Sequence, residues 1–292
     1  MRIIDIIRQK KTTLSFEIFP PKENLTIDYE AVVAELAKLR PDFISVTNSA
    51  GGGGAATFTL DVARGIKQNH GIESIMHLVC AGASKPDIQK KLLQASDCGI
   101  DNILALRGDK INEEGGACDF YHASDLIAAV DKKRFCVGAA AYPEGHVDAE
   151  SLDADIGYLK LKVELGADFL TTQLFYDNAA FFRFRELLAK KAINAPILCG
   201  IMPVMSSSQV GRMIFMCGAS IPGELVKILC KYENDSDGLI KAGIDYAARQ
   251  INGLIREGVD GIHLYTMNKP QIAKSITAVI DRGGFSEGRP PQ

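Results

Sequence analysis

Glu17, Thr47, His77 and Arg107 stand thirty residues apart, each at the end of an apolar run, and Tyr142, Gln173, Met202 and Tyr265 continue the series at looser spacing. Glu17 lies in Phe16-Glu17-Ile18-Phe19, so a carboxyl flanked by this much hydrocarbon is expected to hold its proton more tightly than a solvated one, which suits a general acid. Leu106-Arg107-Gly108-Asp109 offers both charges around a glycine that permits a tight turn or close approach to a ligand. His77 and His146 could bind a metal together, but no third ligand stands at a diagnostic spacing; hydrogen bonding to a cofactor is the better reading, with no metal expected. No lysine ends a strand, which argues against Schiff-base aldolase chemistry.

Placing these residues at one mouth requires strands that end together. A strand–helix unit repeated eight times is the pattern of a (β/α)₈ barrel, where the C-terminal strand ends converge. The apolar runs predict strands over Thr13–Phe19, Phe43–Thr47, Ser74–Cys80, Asn102–Leu106, Cys136–Ala141, Phe169–Gln173, Pro196–Ile201 and Gly261–Tyr265. Helical spacing predicts a helix through Val32, Val33, Leu36 and Leu39, then helices over Thr59–Asn69 with Thr59 as cap, Lys85–Cys98, Ala123–Val130, Ala149–Leu165 and Pro270–Asp281. Stretches near Pro222–Cys230 and Asp237–Glu257 read as a helical insertion near 222–257, and 283–292 as a frayed tail of a single 1–292 barrel domain. Thr47-Asn-Ser-Ala-Gly-Gly-Gly-Gly54-Ala-Ala56 contains a formal G-x-G-x-x-A, but Glu73 precedes the next strand instead of ending it; a loop over the mouth fits better than a dinucleotide fingerprint.

The formal charge of −3 gives no general attraction to nucleic acid or acidic membranes, and no apolar stretch reaches bilayer-spanning length. Residues 3–7 are too interrupted by charge for a signal peptide, and seven scattered cysteines without a C-x-x-C pair fit reduced thiols in the cytoplasm.

Taken together and in order, Ser15-Phe-Glu-Ile-Phe-Pro-Pro21, Ser45-Val-Thr47, His77-Leu, Ala105-Leu-Arg-Gly-Asp109, Ala140-Ala-Tyr-Pro-Glu144 with His146, Thr172-Gln173 and His263-Leu-Tyr-Thr266 resemble the bacterial methylenetetrahydrofolate reductase family. The length also resembles that family's catalytic barrel. The resemblance implies non-covalent FAD, reduced by NAD(P)H, then reoxidised by 5,10-methylenetetrahydrofolate in a ping-pong cycle that forms 5-methyltetrahydrofolate. It places Glu17 as general acid and Asp109 beside flavin and folate, stabilising an iminium cation. It assigns flavin contacts to Asn48, Ala50, His77, Arg107, Gly108, Asp109, Ala123, Tyr142, His146, Ala149, Asp155 and Lys162, and substrate contacts to Thr47, Gln173 and Lys269. Tyr158 and Leu161 replace an Asn and an Arg of some members, which leaves FMN open beside FAD; Met205-Ser-Ser-Ser208 replaces an aromatic that often packs on substrate. Two other readings of such a barrel are a flavin-free folate- or corrinoid-linked methyltransferase and a non-catalytic ligand-binding subunit. Small molecules are the expected partners, and a homo-oligomer is compatible with the sequence.

Overall fold

A computed structural model describes residues 1–20, 28–48, 55–108 and 119–285. In chain order these form α1 (Ile3–Gln9), β1 (Thr13–Ile18), α2 (Tyr29–Ala37), β2 (Phe43–Val46), α3 (Ala55–His70), β3 (Glu73–Val79), α4 (Lys85–Asp97), β4 (Asn102–Leu106), α5 (Ala123–Ala129), β5 (Cys136–Ala141), α6 (Leu152–Glu164), β6 (Phe169–Thr172), α7 (Asn178–Lys190), β7 (Ile197–Ile201), α8 (Ser207–Cys217), α9 (Gly223–Lys231), α10 (Ser236–Arg256), β8 (Gly261–Tyr265) and α11 (Pro270–Val279). The strands pair in parallel and in sequence order, and β1 meets β8 to close the barrel. The fold is the expected (β/α)₈ barrel. No described helix is long and apolar enough to cross a membrane.

Alternation along each strand sends its two faces into different environments. Leu14, Phe16, Ile18, Ile44 and Val46 join Val33 and Leu36 of α2 in the large core between strands and helices. Phe43, Ile75, Leu104, Cys136, Phe169 and Leu198 pack instead with Ile3, Ile4, Ile6 and Ile7 of α1. The N-terminal apolar run is therefore a short helix that closes one end of the barrel. Complete burial of Ile3 and Ile7 contributes about 1.5–3 kcal/mol each. Asn102 holds this plug, accepting the Ile3 N–H at 2.8 Å and donating to the Met1 carbonyl at 3.1 Å. Apolar filling at that end leaves the polar inward residues, Ser15, Glu17, Ser45, His77 and His263, toward the strand C-termini.

Several helix boundaries differ from expectation. Thr59 does not cap α3, which starts at Ala55; its hydroxyl donates to the Thr47 carbonyl at 3.0 Å and fastens the helix to the end of β2. α6 starts at Leu152, because the Ser151 side chain accepts the Ala154 N–H there. Between β7 and β8 there are three helices, and the expected insertion divides: α10 packs against α7 and α11 in the outer ring, while residues of α8 and α9 build a satellite cluster with Leu174, Val204 and Tyr246. Glu144 accepts the Ser220 N–H at 3.2 Å, tying the α8–α9 connection to the loop after β5. At the other end, Arg282–Phe285 form a 3₁₀ turn, and Phe285 packs against the main core rather than fraying; residues 286–292 lie outside the described residues.

Candidate active site

Glu17 points into the barrel, while its apolar chain neighbours Phe16 and Ile18 face the helices. Hydrocarbon flanking in sequence is thus not its environment in space. The parallel register sets Glu17 beside Tyr265 of β8 and Ser45 of β2, and Ser15 beside His263. One carboxylate oxygen, Oε2, lies 3.3 Å from His263 Nε2 and 3.6 Å from His77 Nε2. Each imidazole is anchored in turn: His263 Nδ1 is 2.8 Å from the Ser15 hydroxyl, and His77 Nε2 is 2.7 Å from that of Ser45. Burial pushes the His77 pKa down to about 4 against the pull of Glu17, with His263 adding to the depression, so its ring is neutral at pH 7. Burial and the Glu17 carboxyl raise the Tyr265 phenol well above its usual range, and its hydroxyl donates to the Thr172 carbonyl at 2.8 Å.

The backbone around Glu17 is clamped as firmly as its head group. Its carbonyl accepts the Thr266 hydroxyl at 2.7 Å. Met267 and Asn268 both take positive φ, 53° and 54°, in the turn after β8. That turn aims the Asn268 amide at Phe19, accepting its N–H at 2.8 Å and donating to its carbonyl at 3.0 Å. His77 also lines a cavity of about 460 Å³ with Asn48, Leu60, Met76 and Lys91.

A second cluster gathers at the ends of β4 and β5. The Lys162 ammonium donates to the Ala140 carbonyl at 3.0 Å and lies 6.0 Å from the Tyr142 ring centre. Tyr142 meets His146 edge-on, with 4.6 Å between ring centres. The His146 N–H donates to Asp155 at 3.3 Å, and its Nδ1 accepts the Asp148 N–H at 3.0 Å, which puts the proton of the neutral ring on Nε2. Arg107 pairs with Asp148 at 3.1 Å. Burial raises the Asp155 and Tyr142 pKa values, the latter to about 12, and lowers those of His146 and Lys162; the Arg107 cation further lowers both. Two cations, an aromatic ring and a glycine turn at Gly108 make this cluster suited to an anionic, aromatic ligand.

Arg107, Gly108, Tyr142, His146, Asp155 and Lys162 are therefore grouped, and Ala149 joins them through its N–H bond to the His146 carbonyl at 2.9 Å. Ala123 opens α5. Thr47 and Gln173 follow β2 and β6, their N–H groups bonded to the carbonyls of Ile18 and Ala141. Lys269 is exposed at the N-terminus of α11. Tyr158 and Leu161 are exposed on α6, and Ser206 of the small polar segment caps α8. Asp109 and Ala50 lie outside the described residues. Sequence reading assigned no role to Ser15, Ser45, His263, Asn268 or Asp148, although Ser15, Ser45 and His263 open segments that carry the family resemblance; for Ser15 and His263 a further signal was the two-residue period that puts Ser15 with Glu17 and His263 with Tyr265 on one strand face.

Residues 2–281 match the family model described as Methylenetetrahydrofolate reductase. The chain belongs to the methylenetetrahydrofolate reductase family. Methylenetetrahydrofolate reductase 1 of Schizosaccharomyces pombe is 34% identical over 95% of this chain and 47% of its own length. The 5,10-methylenetetrahydrofolate reductase of Escherichia coli is 33% identical over 92% of this chain and 90% of its own. The chain spans about half the length of the eukaryotic family members it matches. A solved Clostridium thermocellum protein, described as binding two copies of 5-methyl-5,6,7,8-tetrahydrofolic acid, shares the fold with a TM-score of 0.67 at 16% identity, covering 96% of this chain and 97% of that one.

Proposed function

We propose that this protein is a flavin-dependent 5,10-methylenetetrahydrofolate reductase of the cytoplasm, using FAD and NAD(P)H and forming 5-methyltetrahydrofolate by a ping-pong cycle. The observation that carries the reading is Glu17, buried at the barrel mouth with His263 Nε2 at 3.3 Å and His77 Nε2 at 3.6 Å, in a chain whose family match spans residues 2–281. Arg107, Tyr142, His146, Asp155 and Lys162 would hold the flavin nucleotide, and two cations beside a ring fit its anionic phosphates and aromatic parts. When bound, the flavin supplies a two-electron carrier that accepts hydride from the nicotinamide and returns it to the folate one-carbon unit.

The chain supplies the proton chemistry. Opening the methylene bridge of the folate requires a proton on the departing nitrogen, and Glu17 delivers it as general acid. Asp109, placed by the family resemblance next to the reacting groups, stabilises the cationic iminium that opening creates. Thr47 and Gln173 orient nicotinamide and folate, and the exposed Lys269 meets the folate's glutamate carboxylates.

The test is a purified protein examined by absorbance under anaerobic conditions. The reading expects a yellow protein whose flavin band bleaches with NADH or NADPH and recovers on adding 5,10-methylenetetrahydrofolate. Parallel steady-state plots are expected, and intersecting ones would exclude the ping-pong cycle. A colourless protein that binds methyl-folate favours a methyltransferase barrel; one with neither flavin nor turnover, a non-catalytic subunit.

A further inference from the structure

Asp148 bridges the loops that follow β4 and β5. Its carboxylate accepts an N–H from Arg107 Nη2 at 3.1 Å, and its own backbone N–H donates to His146 Nδ1 at 3.0 Å. Arg107 is held at a second point, where Nε donates to the Gly108 carbonyl at 3.2 Å. Nε and Nη2 lie along one edge of the guanidinium, so two acceptors on that edge fix the plane of the group. Three hydrogens remain on Nη1 and Nη2, at the end of the fork. The Gly108 carbonyl is itself held in place by a backbone φ of 91°. Side chains 31% and 36% exposed make this a half-buried pair, and such a pair contributes little to folding stability. Its role is therefore sought in what Arg107 does next.

We infer that Asp148 is a positioning residue that aims the free end of the Arg107 fork at the phosphates of the flavin nucleotide. The inference rests on the reading of this cluster as the flavin site. A long side chain that a ligand must immobilise loses rotamer freedom on binding; one already fixed by a carboxylate does not. Charge works in the opposite direction, because a carboxylate repels a phosphate. Removing the Asp148 charge therefore has two consequences of opposite sign for flavin affinity. The geometry favours orientation: the carboxylate takes the edge that Gly108 also holds and leaves the end of the fork to the ligand. Lys162 and Asp155 complete the charged groups of the cluster, and neither is bonded to Arg107 among the described residues.

The experiment titrates the full-length apoprotein with FAD, FMN and riboflavin, following flavin fluorescence, in wild type, Asp148→Asn, Asp148→Glu, Arg107→Gln and the Asp148→Asn/Arg107→Gln double variant. Riboflavin has no phosphate and serves as the internal control. Asp148→Asn keeps the size of the side chain and the backbone N–H to His146, so it reads the carboxylate alone. It is expected to weaken FAD and FMN about tenfold, the scale of one charge-assisted hydrogen bond, and to leave riboflavin within about twofold. Asp148→Glu keeps the charge and should recover most of the loss. The double variant should bind FAD within about twofold of Arg107→Gln alone, because the carboxylate acts through that arginine. Equal weakening of all three flavins by Asp148→Asn would make its role structural and overturn the inference. So would unchanged or tighter FAD binding in Asp148→Asn while Arg107→Gln is impaired, and the flavin site would stand. Unchanged affinity of Arg107→Gln for all three flavins would instead remove the reading on which the inference rests.

Discussion

A side chain on Gly108 would collide with Val79: a Cβ there overlaps Val79 Cγ1, at the end of the neighbouring strand β3. Gly108 also holds φ at 91°, and its carbonyl accepts the Arg107 Nε–H at 3.2 Å. Two separate constraints thus meet at one residue of the turn that leads from β4 to Asp109.

Gly108→Ala should therefore lower both stability and flavin occupancy. Strain from the left-handed backbone costs about 1–2 kcal/mol, and the overlap adds about 1–3 kcal/mol. Gly71 provides the control, because its φ is 66° but a Cβ there meets nothing within 4 Å. Thermal unfolding should show Gly108→Ala falling further than Gly71→Ala, with flavin lost only from the former. Equal shifts would mean that the Val79 contact is irrelevant.

His77 gives the fold a dependence on acid. Its pKa is about 4 in the folded chain against 6.5 in the open chain. As pH falls below 6.5 the unfolded chain gains a proton that the folded chain refuses, so stability is full above that value and declines toward pH 4. The full shift corresponds to about 3 kcal/mol. Denaturant midpoints measured between pH 7 and 4 should decline less steeply in His77→Gln than in wild type. Identical slopes would show that the buried ring is not the titrating group.

Lys162 should matter to cofactor retention more than to folding. Among the described residues its ammonium makes one hydrogen bond, to the Ala140 carbonyl, and it sits with Arg107, Tyr142 and Asp155. Lys162→Met keeps much of the side-chain length while removing the charge and donors. Loss of one charge-assisted contact of about 1.5–3 kcal/mol predicts flavin binding weakened by about tenfold or more. Fluorescence titration of the apoprotein with FAD and FMN would measure it. An unchanged affinity for both would place the phosphates elsewhere.

The barrel was legible because its physics is periodic. Apolar runs at regular spacing placed β4, β5 and β8 at the ends observed, and Gly99 and Gly166 stop their helices at φ 73° and 101°. What escaped depends on closure. Glu17 and His263 are 246 positions apart and become neighbours because β8 pairs with β1; no local pattern encodes that seam. Ser15 and Ser45 read as ordinary strand residues until the imidazoles above them are known. The same limit explains Phe16 and Ile18, whose hydrocarbon suggested an apolar setting for Glu17 although alternation turns them to the opposite face. Ile3–Gln9 escaped for another reason: seven residues are too few to show a helical period, and the helix gains its stability from the barrel floor it covers.

Glu17→Gln is the sharpest discriminator of the chemistry. The amide is nearly isosteric, and Thr266 and Asn268 clamp the backbone at Glu17 and Phe19 independently of the carboxyl, so fold and flavin content should be retained. Transfer of hydride from nicotinamide to flavin requires no proton on folate, and that half-reaction should proceed at close to the wild-type rate. Reoxidation by methylenetetrahydrofolate requires the acid, and losing a positioned general acid costs about 10²–10⁴-fold. Stopped-flow traces of flavin bleaching and recovery separate the two steps. Equal loss in both would assign Glu17 a structural role, and an intact folate step would require another group to protonate the departing nitrogen.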